Sequence, residues 1–120
     1  MEPNSAVTDF VKEKESAYQR VFSQLPRLTS LEAGWSGIHL VYDRLPPSVI
    51  PEVAAEQHGI AIYTEVSPST QMEHRAEQHQ QAQLKPSDII ITPARSRTRS
   101  QWDAPVEVIF LEFDAICTNG

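Results

Sequence analysis

The residues of this 120-residue chain whose types invite chemistry are four histidines, a run of spaced arginines and one cysteine. His39, His58, His74 and His79 are scattered, and no two form an H-x-H pair. Neutral imidazoles with carboxylates suit iron, manganese or zinc. Glu73, His74, Glu77 and His79 lie close enough in sequence to chelate a metal opportunistically, but a solvated hairpin explains them better, and no metal site is expected. Arg95, Arg97 and Arg99 fall at spacing two, so an extended backbone projects them to one side. Three guanidiniums on one side could grip a carboxylate or phosphate ligand, or meet an acidic partner surface. The plainer reading is a charged edge that blocks strand-to-strand aggregation. Cys117 has no histidine near it in sequence and reads as incidental. No nucleophilic constellation stands out, and four glycines form no phosphate-binding loop. No cofactor is expected.

The elements that must position these residues centre on the stretch from Leu84 to Asp114. Lys85-Pro86-Ser87-Asp88 reads as a turn, and Ile89, Ile90 and Ile91 as a β-branched strand that Pro93 ends. Ala94 to Gln101 is polar and basic, and Trp102 to Pro105 is a second turn. Val106 to Phe113 is the strongest strand signal, with Val106, Val108 and Phe110 on one face and Ile109, Leu111 and Phe113 on the other. A strand apolar on both faces needs a cover on its outer side. Upstream, Phe10 to Leu25 has near-3.6 apolar spacing and predicts a short amphipathic helix, capped by Thr8 or Asp9 and limited by Pro26. Such a helix fits best as a cover over a barrel face.

Ile38 to Leu45 alternates, with Ile38, Leu40 and Tyr42 on one face and His39, Val41 and Asp43 on the other. Val49 to Ala55 reads as an edge strand weakened by Pro51. In the stretch from Gln57 to Val66, His58, Ile60, Ile62, Thr64 and Val66 share a face. Gln71 to Gln83 has helical propensity, but a barrel needs strands there, so two short strands are expected. About eight short strands with regular turn signals predict a mainly β fold, a jelly-roll sandwich or barrel with a short N-terminal helix or arm.

The length fits one domain, large enough to hold a core without disulfides or metal. A single cysteine fits a reducing, cytoplasmic setting. No apolar run approaches the ~20 residues of a membrane helix, and MEPNSAVTDF is no signal peptide. The net charge of −6 is opposite to that of most free-standing DNA-binding domains.

The turn ending in Asp88, the isoleucine triplet, Pro93 and the later strand together resemble the second motif of the cupin barrel. YQRVF, GWSGIHLVYDRLPP, Pro51-Glu52, QHGIAIY and EVIFLEFD resemble, in that order, the N-terminal domain of AraC-type transcriptional regulators. The resemblance covers residues 18–114. It implies a cupin-like effector-sensing barrel after an arm or helix start over 1–17. Residues 115–120 would begin a linker to a helix-turn-helix domain that this chain lacks, and DNA would be contacted only through that domain. The metal pattern of catalytic cupins is broken. The position of its later histidine, five residues after Pro93, is Thr98, and that of its glycine is Arg95.

What the resemblance implies is a barrel mouth that keeps a cavity for a small, unidentified effector. His58, Ile60, Ile62, Trp35, Tyr42 and Trp102 are its candidate lining. For both tryptophans core packing is the plainer role, and His58 is either a satisfied core histidine or an effector contact. The N-terminal helix or a second copy of the domain would have to supply the missing cover, and in the second case the assembly is a homodimer. No membrane partner is expected. The expectation is therefore a sensory, non-enzymatic module acting by linkage between effector and assembly. The alternative is a stand-alone, metal-dependent cupin enzyme, a dioxygenase or isomerase. A purely structural dimerisation module would differ from the sensory one by a filled barrel.

Overall fold

The computed structural model of the chain describes residues 8–30, 33, 35–75 and 79–114, with side chains apart from those of 79–82. The expected arm over residues 1–7, the hairpin tip at Glu77 and Gln78, Cys117 and the linker over 115–120 lie outside the described residues. So does the His79 side chain, and with it the cluster around His74. No described helix is long and apolar enough to cross a membrane.

The expected N-terminal helix forms, but in two pieces, α1 (Phe10–Glu13) and α2 (Glu15–Phe22). Asp9 caps α1 by accepting from the backbone N–H groups of Val11 (3.2 Å) and Lys12 (2.8 Å). The break falls at Lys14, whose φ of 49° is unfavourable for a residue with a Cβ. Ser23, also left-handed at φ 66°, ends α2 before Leu25 is reached.

Nine strands follow among the described residues: β1 (Leu28–Thr29), β2 (Ile38–Leu45), β3 (Ser48–Ala54), β4 (His58–Val66), β5 (Gln71–Arg75), β6 (His79–Gln83), β7 (Ile89–Thr92), β8 (Arg97–Trp102) and β9 (Val106–Phe113). They make a five-stranded sheet in the order β1-β2-β9-β4-β7 and a four-stranded sheet in the order β3-β8-β5-β6. All named pairs are antiparallel. The two sheets pack as a jelly roll around one core. Leu45, Tyr63, Val106 and Val108 come to that core from the larger sheet, and Ile50, Met72 and Trp102 from the smaller.

The stretch from Gln71 to Gln83 forms the expected hairpin, despite its helix formers, because β8 supplies a partner for β5. Pro51 sits on an edge strand, where its missing N–H costs no ladder bond, and the register shifts between Ile50 and Val53. The segment from Ala94 to Gln101, expected as a polar connection, contains a strand. In β8 only Thr98 and Trp102 are buried, so its alternation lies between polar types and leaves no hydropathy signal.

Register fixes the two faces of the larger sheet. The outer face carries two apolar rows. One runs Leu28, Tyr42, Ile109, Ile62, Ile89, and the other Leu40, Leu111, Ile60, Ile91. The inner face carries Val41, Phe110, Ala61 and Ile90 in one row, and His39, Glu112, Gly59 and Thr92 in the next.

Candidate functional site

The inner faces of the two sheets and the N-terminal helices line a partly open cavity of about 120 Å³. An apolar cavity of about 150 Å³ takes benzene, so this one suits a molecule of up to about six non-hydrogen atoms. Its roof is helical. Phe10, Val21 and Phe22 reach into it, and Phe22 stacks on Tyr18 (4.6 Å) and Phe110 (5.0 Å). The roof is tied down at both ends. Gln57 accepts from the Phe10 N–H (3.0 Å) and donates to the Asp9 carboxylate (2.7 Å). Asp43 accepts from the Tyr18 hydroxyl (2.7 Å) and from the Gln24 amide (2.8 Å).

The cavity wall is apolar on most sides, with Ile50, Val53, Ala61 and Ile90 among its members. Thr92, Ser96, Thr98 and Ser100 supply hydroxyls. His74 shares a hydrogen bond with Ser100 (2.8 Å), and burial pushes its pKa down, which favours the neutral ring. Tyr63 is buried, and burial pushes its hydroxyl up, so it keeps its proton at neutral pH.

Glu112 is the one acidic side chain lining the cavity among the described residues. It lies over Gly59, where a Cβ would come within 3.2 Å of its Oε1, so the absent side chain makes room for the carboxyl. Burial pushes the Glu112 pKa up to about 8, because a charged carboxylate in an apolar surround forgoes its hydration. No hydrogen bond or ion pair compensates it among the described residues.

Of the residues expected to line a pocket, Ile60 and Trp102 touch the cavity. Trp102 is buried, with its ring N–H donated to the Pro46 carbonyl (2.9 Å). Tyr42 and Ile62 lie on the outer face of the larger sheet, and Trp35 is half exposed. His58 also sits outside the cavity lining. Its Nδ1 accepts the Ala94 N–H (2.9 Å), and its ring packs on Phe113 (5.5 Å).

The three arginines do not converge. Arg95 pairs with Glu56 (2.9 Å) and Arg97 with Glu52 (3.7 Å). Arg99 stands opposite Arg75 in register and reaches the cavity lining. Thr98, at the position where the resemblance places a metal-binding histidine, is buried in the cavity wall. Among the described residues no three His, Cys, Asp or Glu side chains come together as a ligand set. The donors at the cavity, Glu112, His74 and hydroxyls, do not fit a cupin metal centre.

Sequence reasoning passed over Glu112, Gln57 and Tyr63, and took His74 for part of a solvated hairpin, whereas it lines the cavity. The signal for Glu112 was its parity. It shares a face with Val106, Val108 and Phe110, so an inner carboxylate was implied once that face was known to be inward.

No family model matches the chain, and no curated protein matches it. Solved structures do. One is a protein provisionally named a mannose-6-phosphate isomerase from Ralstonia eutropha JMP134, with a TM-score of 0.57 and 18% identity over 75% of this chain and 82% of that one. Another is a Cupin 2 conserved barrel domain protein from Salinispora arenicola CNS-205, with a TM-score of 0.52 and 14% identity over 70% and 69%. A third is the DMSP lyase DddQ from Ruegeria pomeroyi DSS-3, with a TM-score of 0.50 and 18% identity over 66% of this chain and 38% of that one. None of these three is named as an AraC-type regulator, so the resemblance is supported at the level of the barrel. The expectation of a non-enzymatic module is overturned by the isomerase and lyase names among these neighbours, because the same barrel carries catalysts. At these identities the likeness speaks for architecture alone, and the chain is a small cupin-like jelly-roll domain.

Proposed function

We propose that this domain is a small cupin-type enzyme that moves a proton on a small, largely apolar molecule held inside the barrel, an isomerase or lyase in reaction class. The observation that carries this reading is Glu112, a partly buried carboxyl without a compensating partner among the described residues, facing a cavity with a pKa raised to about 8. An acid–base group works best when its pKa lies near the working pH. At pH 7 about a tenth of the Glu112 carboxyls are ionised, enough to act as base, while the rest can act as acid. The Tyr63 hydroxyl and the hydroxyls of Thr98 and Ser100 are fixed donors for an oxygen of the bound molecule. Phe10, Phe22 and Trp102 set apolar surface against the bound molecule. The donor set does not fit a metal, so no step is routed through one.

Proton transfer to carbon can be read without knowing the product. The protein is incubated in deuterium oxide with small ketones, hydroxy ketones and hydroxy acids, and proton NMR follows the signal beside the carbonyl. The expected result is exchange with at least one compound, slowed about 100-fold or more by Glu112→Gln. Exchange at an unchanged rate in the variant, or none with any compound, sinks the reading.

A further inference from the structure

Beside Glu112 stands a buried group that the cavity chemistry leaves unused. His39 is 1% exposed, and neither ring nitrogen has a hydrogen-bond partner. Buried polar atoms almost always find partners, so an orphaned imidazole calls for an explanation. His39 and Glu112 are register partners on adjacent strands, with their side chains on the same inner face. Such cross-strand neighbours have Cβ atoms about 5 Å apart. The carboxyl lies over Gly59 on one flank, and the imidazole stands on the other. Two uncompensated groups side by side, one a proton donor and one an acceptor, complete each other after a rotation of the glutamate side chain.

We propose that His39 is the proton partner of Glu112, so that the pair, and not the carboxyl alone, is the acid–base unit of the barrel. The pair holds one dissociable proton. With that proton on a His39 ring nitrogen, Glu112 is a carboxylate inside an apolar cavity and can accept a proton from carbon of the bound molecule. The carboxyl then returns the proton to a second atom of that molecule, and His39 keeps its own throughout. An isomerisation balances in this way with no external reagent. The inference rests on reading Glu112 as the acid–base group.

The charged groups around the pair are few. Lys14 and Glu15 face His39 from the break between the helices and act on it in opposite directions. Asp9 and Asp114 are held by Gln57 at the same end of the barrel. Asp43, two positions past Val41 on β2, is engaged by Tyr18 and Gln24. Across the cavity stand His74 and Arg99. None of these reaches a ring nitrogen of His39, and Glu112, its register partner, is the acidic side chain placed next to it on the inner face.

The test is an NMR titration of the whole chain, with carbon-13 at the glutamate carboxyls and nitrogen-15 in the histidine rings. The His39 ring and the Glu112 carboxyl are expected to respond at one shared midpoint. In His39→Gln, which cannot hold the shared proton, the Glu112 midpoint is expected to move by about one pH unit or more. A ring that ignores the Glu112 midpoint, or a midpoint that stays in place in the variant, overturns the pairing. If the variant does not fold, the shared response of the unaltered protein decides alone. The deuterium exchange assay is independent. Co-titration without exchange keeps the pair and removes the enzymatic reading.

Discussion

The two faces of the five-stranded sheet are built from the same strands and follow opposite rules. The outer face is the more apolar by sequence, yet Ile89 and Ile91 on it are 57% and 68% exposed. The inner face holds His39, Asp43, Tyr63 and Glu112 among its aliphatic residues, yet it is the buried one. Hydropathy therefore does not say which way this sheet faces. The inner face gives up apolar area to polar groups that a cavity can use, and the outer face keeps apolar area that nothing described here covers. A contiguous exposed apolar face of that kind marks an interaction surface.

Substitutions on the inner side of the barrel are expected to cost the most. Trp102→Ala removes a buried indole and its bond to Pro46, and a loss of about 3–5 kcal/mol is expected in urea unfolding. Next comes Glu112. Folded, it keeps its proton to about pH 8, against 4.5 for an ordinary glutamate. The folded chain thus binds an extra proton at this site between those values, so the Glu112 contribution to stability is fully present below pH 4.5 and is lost as pH rises through 8. Glu112→Gln is expected to abolish that decline and to gain on the order of 3 kcal/mol at pH 8.5. An unchanged pH slope would show that the carboxyl is solvated in the folded state. Tyr18→Phe leaves the buried Asp43 short of a donor under the helical roof, at an expected cost of about 1–2 kcal/mol in the same assay. The smallest effect belongs to the outer face. Ile91→Thr is expected to change stability by no more than about 0.5 kcal/mol. A cost like that of the inner positions would reveal a cover over this face.

The elements were legible where local pattern and fold agreed. Val106 to Phe113 and the isoleucine triplet announced themselves as strands, and the Thr8-Asp9 pair announced the helix start, with Asp9 the residue that caps it. The hairpin over Gln71 to Gln83 was legible only because a barrel needs strands there, against the helical preference of its residues. The faces were not legible. Ile60 and Ile62 looked inward because they outweigh Ala61 and Tyr63 in hydropathy, and Tyr42 was grouped with them for the same reason. Register places all three on the outside, although Ile60 still touches the cavity edge. The polar strand β8 escaped because its inward residues, Thr98 and Ser100, are hydroxyl-bearing. Both failures share a cause. A barrel wall that lines a polar-edged cavity on one side and shows an apolar face on the other inverts the usual amphipathic signal.

The placement of β9 has a consequence for synthesis of the chain. β2 and β4 belong to one sheet but touch it together only through β9, which pairs with both along its full length. On a ribosome adding roughly 5–20 residues per second, the stretch between Leu45 and Val106 takes roughly 3 to 12 seconds to emerge. During that interval the half-sheets have no common centre, and their isoleucine-rich rows stay open to other chains. The strand made last among those described is the one that unites the larger sheet. The larger sheet is therefore open to aggregation until β9 has emerged, a vulnerability that comes from threading its central strand late.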